Sequence, residues 1–374
     1  MSENWDVVIV GAGIVGAACA WQCALRGMRT AVVEANFIGG GATAAGMGHI
    51  VVMDDSPAQL ALTHYSQTLW QGLSKSLPND VEYEACGTLW VAADEEEMQE
   101  VHRKREVYTS AGVATEVLAG PTLADAEPQL RNPLAGALLV PSDAVLYPPC
   151  AAAYLMSQAR RLGAQLYRRK VLSARAGKVR LDDGTQLTAT RILIASGADA
   201  CELIPGLPIK KRKGHLVITD RYPGFVRHQL VELGYLKSAH SSSADSVAFN
   251  VQPRKTGQLL IGSSRQFGAE DSVADPQILA AMTERAAWYL PKIGKLSAIR
   301  VWTGFRAATP DKLPLIGPWP EDDSLFLATG HEGLGITTSL GTARILADHL
   351  EGATPAIPAA PYLPARFARS AVHV

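Results

Sequence analysis

Three glycines at fixed spacing, in Gly11-Ala12-Gly13-Ile14-Val15-Gly16, and an acid further on, Glu34, are the first residues arranged for chemistry. Gly11 permits a tight turn, Gly13 lets the backbone approach a pyrophosphate, and Gly16 allows close helix–strand packing. A helix starting there turns its N–H groups and partial positive charge toward phosphates. The chemistry is dinucleotide binding, with Glu34 expected on the adenosine ribose. A run of small residues follows, Gly39-Gly40-Gly41-Ala42-Thr43-Ala44-Ala45-Gly46-Met47-Gly48, closed by His49. It cannot build a core, but it can wrap a bulky cofactor. Cys19 and Cys23 lie among Ala, Val and Trp and read as buried packing rather than a redox pair. The basic run Lys210-Lys211-Arg212-Lys213 reads as a solvated loop, or as a contact for an acidic partner patch.

Apolar periodicity shows the elements that must position these residues. Residues 6–10 form a short β-branched run suited to a strand buried on both faces. A helical stretch through Leu25 and a second strand ending at Glu34 complete a strand–turn–helix–strand unit. Residues 56–76 carry Leu60, Leu62, Leu69 and Leu73 at helical spacing, and 94–111 read as a charged, exposed helix. Between them, 81–93 alternates like a strand. Residues 148–163 read as a helix with Cys150, Tyr154 and Leu155 on its apolar positions. A hairpin turns at Asp183-Gly184. A buried strand over 191–195 then runs into Ser196-Gly197-Ala198, a second expected cofactor contact. Strands at 215–219, 229–235, 246–251 and 258–261 follow without helices, which predicts an antiparallel sheet in an inserted domain. A helix over 276–290 closes it. Residues 325–330 lead into a last Gly-rich turn and a helix over 338–349, and prolines at 355, 358, 361 and 364 predict an extended tail, either docked on the chain or contacting a partner.

The chain has 374 residues, 47% hydrophobic and 19% charged, with 33 glycines. This excludes a disordered or collagen-like protein, and the length predicts two domains. Lys and Arg total 35 against 36 for Asp and Glu, so no basic field exists for nucleic acid or anionic lipid. The five cysteines form neither a disulfide framework nor a zinc pattern, and no metal site is expected. No targeting segment is evident, and no stretch approaches the roughly 18–20 apolar residues of a spanning helix. A cytoplasmic protein is expected, at most peripheral to a membrane through a complex.

Taken together, these stations resemble the FAD-dependent D-amino-acid oxidase/glycine oxidase superfamily over nearly the whole chain. The resemblance rests on Gly11–Gly16 with Glu34, on Ala195-Ser196-Gly197, and on two later blocks. Trp302-Thr303-Gly304-Phe305-Arg306, followed by Thr309-Pro310-Asp311-Lys312-Leu313-Pro314-Leu315-Ile316-Gly317, looks like the family's substrate-arginine motif. Ala328-Thr329-Gly330-His331 with Gly335 looks like its flavin-ring loop. The small-residue run resembles the second flavin loop of glutathione-reductase-like proteins, which favours FAD over NAD. Met47-Gly48-His49-Ile50, Gly214-His215 and the segment from Phe249 to Gly262 are similar to the β subunits of bacterial D-hydroxyproline dehydrogenases and their opine- and cyanide-forming relatives.

The resemblance implies an α/β + β fold: a glutathione-reductase-like, Rossmann-type FAD-binding domain (1–80, 145–210, 310–374) with an inserted antiparallel-sheet substrate domain (81–144, 211–309). It implies non-covalent FAD held by Gly11, Gly13, Ile14, Val15, Gly16, Glu34, Ala35, Gly41, Ala42, Thr43, Gly46, Met47, Gly48, His49, Val171, Ala195, Ser196, Gly197, Gly330, His331, Gly333, Leu334, Gly335, Ile336 and Thr337. No cysteine lies where some sarcosine-oxidising relatives link flavin covalently. Arg306 is expected to pair with a substrate carboxylate, a task for a planar guanidinium, unless it is a surface loop arginine. Asn250 replaces a substrate-side tyrosine of glycine oxidase relatives and is either a small polar contact or structural. Tyr235 and Lys237 end a strand and either line the pocket or support it. His331 and His49 either stabilise negative charge on reduced flavin or simply pack.

The implied reaction removes hydride equivalents from an amine-bearing carbon, giving an imine that hydrolyses off the enzyme. No general base is assigned. The expected substrate is an amino or imino acid, foremost cis-4-hydroxy-D-proline. Leu260 aligns with a lysine that assists oxygen in sarcosine-type oxidases, so slow reaction with oxygen is expected. Electrons would pass to a dye, a respiratory acceptor, or a partner flavin or iron–sulfur subunit in a hetero-oligomer. The alternatives are a glycine, D-amino-acid or sarcosine-type oxidase using oxygen, and a flavin electron-relay subunit without its own substrate site.

Overall fold

The computed structural model describes residues 4–234 and 245–367. Two large sheets organise the chain. In the first, β17 (Leu315–Trp319), β18 (Asp322–Thr329), β11 (Gln186–Ile194), β1 (Asn4–Val10), β2 (Thr30–Glu34) and β8 (Gln165–Arg168) lie in that order. The strands from β18 to β8 run parallel, and β17 joins antiparallel. Strands β9 (Val171–Arg175) and β10 (Lys178–Leu181) extend β11 as an antiparallel flap. Val8, Ile9, Val32 and Leu193 are fully buried, as parallel strands covered on both faces must be. Helices Ile14–Leu25, Pro148–Arg161 and Gly335–Glu351 pack on one face, where Ala17, Ala18 and Cys19 are fully buried.

The second sheet runs β16 (Ala298–Ala308), β12 (Lys210–Thr219), β15 (Leu259–Phe267), β14 (Ser246–Pro253), β13 (Gln229–Glu232), β4 (Thr88–Ala92), β6 (Gly136–Val140) and β5 (Glu116–Leu118). Helix Pro276–Tyr289 packs on its outer face through Met282, Ala286 and Tyr289, and Tyr289 stacks on Phe249 with centroids 4.3 Å apart. Asp275 caps that helix by accepting from Gln277 N and Ile278 N. A two-stranded piece, β3 (His49–Ile50) with β7 (Ala144–Val145), carries the chain between the two sheets.

Several expectations change here. The second sheet is mixed rather than antiparallel, because β13 and β4, far apart in sequence, pair in parallel. In 81–93 the one strand is β4, with a single bridge from Glu84 to Val145 before it; Asn79–Val81 is a 3-10 turn. The strand expected over 229–235 ends at Glu232, and Tyr235 and Lys237 lie outside the described residues. Residues 186–194 form one strand, not two. The helix over 94–111 is not simply exposed: Met98, Val101, Lys104 and Tyr108 form a buried stripe at helical spacing. Lys210–Lys213 is no loop but the first half of β12, paired with β16. There Lys211 bonds Asp199, Arg212 pairs with Glu332, and Lys213 bonds Asp271. The tail is docked through short 3-10 turns, with Tyr362 buried and donating to Ala58 O at 2.6 Å. Among the described residues no helix is long and apolar enough to cross a membrane.

Candidate active site

A cavity of about 580 Å³ lies between the C-terminal ends of the parallel strands and the inner face of the second sheet. At its dinucleotide end, β1 turns into helix Ile14–Leu25 at Gly11, whose φ of +102° is closed to most side chains. The N-cap of that helix, Gly13, brings no side chain of its own, and the first helical N–H, Ile14 N, donates to Thr43 Oγ1 at 3.0 Å. Glu34 is fixed by both oxygens, accepting from Ala12 N at 2.7 Å and Asn36 N at 2.8 Å. It lines the cavity beside Ala35, and Val171, Ala195, Ser196 and Gly197 complete that end.

The other end is built on the second sheet. Arg306 lies within β16, directly opposite Arg212 in β12. Glu332 neutralises Arg212, and Arg306 donates Nη1 to Ser264 O at 2.9 Å. The guanidinium lies over Gly214, where an added Cβ would stand 2.5 Å from Nη1 and 2.9 Å from Cζ. Ser264 is itself held, its hydroxyl accepting from His215 N at 2.9 Å and facing Nδ1 at 2.9 Å. Because His215 Nε2 accepts from Asp275 N, Nδ1 carries the ring proton. Helix Pro276–Tyr289 thus anchors the arginine through its own cap. Substituting Gly214→Ala is expected to displace the guanidinium at an overpacking cost of about 1–3 kcal/mol. Substrate KM should rise, with FAD content unchanged; an unaltered KM would show that Arg306 does not set the substrate's position.

Asn250 lines the same cavity, with Gln229, Trp90 and Val231 nearby on adjacent strands. His49 Nδ1 sits 3.1 Å from both Gln252 Oε1 and Gln229 Nε2. Burial, with Arg306 adding to it, lowers its pKa to about 4. Burial lowers that of His331 to about 3, and its Nε2 faces Thr342 Oγ1 at 3.0 Å. Both imidazoles are therefore neutral at physiological pH in the protein as it stands.

Of the residues expected at the cofactor, Gly16, Gly48 and Thr337 do not line the cavity. Gly16 faces Gly11 O, Gly48 packs on Leu146 O, and Thr337 Oγ1 donates to His49 O. Each shapes the wall from behind. Leu260 is buried with Met47, Leu216 and Ile218 and also lies off the cavity, which Arg212, Arg265, Arg306 and Lys312 line instead. Sequence reasoning missed Gln229, Trp90, Arg265 and the Arg212–Glu332 pair. A polar Gln at the start of an apolar strand was the one available signal.

Behind the wall formed by Val51 and Met53, Asp143 is fully buried and accepts from Val52 N at 3.2 Å and Gln67 Nε2 at 2.6 Å. Burial outweighs these bonds and pushes its pKa from 3.8 up to about 7. The folded protein therefore keeps this proton where the unfolded chain has lost it. The resulting stabilisation is complete below the unfolded value and is lost as pH rises through about 7. The buried histidines act in the opposite sense, so the comparison is with the parent protein. Asp143→Asn should remove this fall, read as a Tm that declines less between about pH 4.5 and 7.5 than the parent's.

A family model of FAD-dependent oxidoreductases, DAO, matches residues 6–349. The chain belongs to this family. Among relatives of the FAD-dependent oxidoreductases, it is 29% identical to the glycine oxidase of Geobacillus kaustophilus (strain HTA426), covering 97% of each chain. It is 28% identical to the hydrogen cyanide synthase subunit HcnC of Pseudomonas aeruginosa, over 98% of this chain and 97% of that one. The crystal structure of the G. kaustophilus glycine oxidase superposes with a TM-score of 0.87 at 27% identity, covering 98% of this chain and 99% of the other. L-proline dehydrogenase from P. horikoshii shares the fold, with a TM-score of 0.86 at 23% identity over 98% of each chain.

As a DAO-family oxidoreductase the protein is an enzyme that uses FAD. The residues present fit that group. The glycine N-cap at Gly13 and the Gly11 turn suit the close approach of a pyrophosphate. Buried polar atoms without a partner gather at this cavity: Trp90 Nε1, Ser196 Oγ, Arg212 Nε, Gln229 Oε1, Asn250 Oδ1 and Glu332 Oε2. Such atoms are costly unless a ligand or water meets them.

Proposed function

We propose that this enzyme oxidises the amine-bearing carbon of a small amino or imino acid to an imine, with Arg306 holding the substrate carboxylate. The observation that supports this most is the arginine itself, set in a strand, anchored to Ser264 and lining the cavity. FAD supplies the two-electron acceptor when bound. The chain's own part is to orient: Arg306 fixes the carboxylate, and Gly214 makes room for the guanidinium. The reading includes FAD contacts at the cavity-lining glycines and Glu34, with Glu34 on the adenosine ribose. It divides the chain into an FAD domain (1–80, 145–210, 310–374) and a substrate domain (81–144, 211–309). The partition of strands between the two sheets supports this division.

The foremost substrate in this reading is cis-4-hydroxy-D-proline, with electrons passing to a partner chain. Similarity to a cyanide synthase subunit supports a partner. A second reading, a glycine or D-amino-acid oxidase using oxygen, is favoured by the glycine oxidase relatives and by the cations along the cavity. Anaerobic mixing of the purified protein with a panel of D- and L-amino and imino acids tests both. Bleaching of the flavin is expected, and its absence with every compound would leave only an electron-relay role. Stopped-flow mixing of the reduced protein with aerated buffer separates the acceptors: reoxidation as fast as turnover would replace the dehydrogenase reading.

A further inference from the structure

The active-site cavity adjoins a smaller hollow of about 240 Å³, and Asp55, Gln59 and Lys312 line both. One wall of the hollow is the start of helix Pro57–Ser74, where Ser56 is the N-cap and Gln59 Oε1 accepts from Asp55 N at 3.1 Å. The other wall is the turn 310–313 between β16 and β17. Asp55 and Asp311 are exposed whereas Gln59 is buried, so the hollow runs from the surface inward. Two carboxylates and an ammonium line it, which suits a small zwitterion such as an amino or imino acid.

The docked tail joins the two walls. Tyr362 is buried and donates to Ala58 O, on the helix, at 2.6 Å. Four residues on, Arg366 grips the turn: it bonds both oxygens of Asp311, at 2.7 and 3.2 Å, and Leu313 O at 2.7 Å. Its Nη1 also donates to Tyr362 O and Leu363 O, which stiffens the link between the two anchors. The turn needs such a hold. Lys312 lies between the two gripped residues with a φ of +62°, a conformation that a residue bearing a side chain keeps only where its surroundings fix it.

We infer that this hollow is the passage by which a small zwitterionic substrate enters and its product leaves, and that Arg366 is a positioning residue, holding Lys312 on the passage wall through Asp311 and Leu313. The inference rests on the amine-oxidising reading above for the molecule that travels, and adds its route. Loss of Arg366 releases the turn from the tail, so the wall gapes and Lys312 leaves its place.

Two measurements on the FAD-loaded full chain test this. The first needs no substrate. Met53 lines the cavity but not the hollow. In Met53→Cys, modification of that position by 2-sulfonatoethyl methanethiosulfonate, a small anion, is timed by mass spectrometry. Thiol reactivity follows access, so adding Asp55→Trp or Pro310→Trp, a bulky plug on either wall, should slow modification at least about 10-fold. Adding Arg366→Met should speed it about 5-fold or more. The second measurement is anaerobic flavin reduction by glycine, D-proline and cis-4-hydroxy-D-proline, carried through with the fastest. The plugs and Arg366→Met should each lower the second-order rate of reduction about 10-fold. The limiting rate at saturating substrate should change less than about twofold, because access is altered and chemistry is not. Arg29→Met, which removes a surface pair with Asp6, should move neither. Flavin absorbance and Tm establish that each variant is folded and loaded. Modification that both plugs leave unchanged overturns the passage, as does a thiol at position 53 that is never modified. Arg366→Met behaving like Arg29→Met overturns the positioning role, and so does a limiting rate that falls with the second-order rate. Absence of bleaching with all three compounds strikes the amine-oxidising reading instead, and the thiol measurement still decides the passage.

Discussion

Arg306→Leu is expected to leave FAD bound while kcat/KM for the substrate falls by roughly 30-fold to several thousand-fold. Losing one partner of a desolvated charged pair costs about 2–5 kcal/mol, and each 1.4 kcal/mol is a factor of ten. The effect should fall mainly on KM, because the carboxylate is held in the ground state and the transition state alike. Arg306 is built on the second sheet and bonds Ser264 O, so the flavin absorbance should be intact. Arg306→Lys should recover little, since an ammonium cannot match both carboxylate oxygens in plane. Steady-state kinetics with flavin quantitation decides it, and a variant with unchanged constants would sink the carboxylate assignment.

Gly16→Ala should abolish FAD binding or stable folding. An added Cβ would stand 2.0 Å from Gly11 O and 3.0 Å from Gly11 C, and these are backbone atoms. Gly11 cannot retreat, because its own Cβ position is already 2.7 Å from Ala195 O. Three backbone segments converge there, and forcing them apart costs about 3 kcal/mol or more. The A450/A280 ratio after purification and a thermal melt are the readouts. Gly72→Ala is the control: it lies within helix Pro57–Ser74 with nothing near its Cβ, and the same change there should stabilise by up to about 1 kcal/mol. Normal flavin loading in Gly16→Ala would mean that this turn is looser than its geometry requires.

These two predictions differ in how early they could be made. The need for glycine at position 16 follows from a unit of strand, turn, helix and strand that is local in the chain. Its clash with Gly11 O involves a near neighbour, so residue type and spacing determined it, as they determined the family resemblance. The surroundings of Arg306 are different. Arg212 looked like part of a solvated basic run until β12 paired with β16 and placed Glu332 against it. Lys104 looked exposed in a charged helix, yet it is fully buried, paired with Asp54 and lying over the Trp90 ring. Gln229 and Trp90 became neighbours only through a parallel pairing of strands from distant parts of the chain. Local sequence constrains backbone conformation and the face a residue takes. Which segments pair, and in what register, is decided by burying the whole apolar surface at once. So the cofactor turn was legible in the sequence, whereas the polar corner of the cavity was settled only by the tertiary structure.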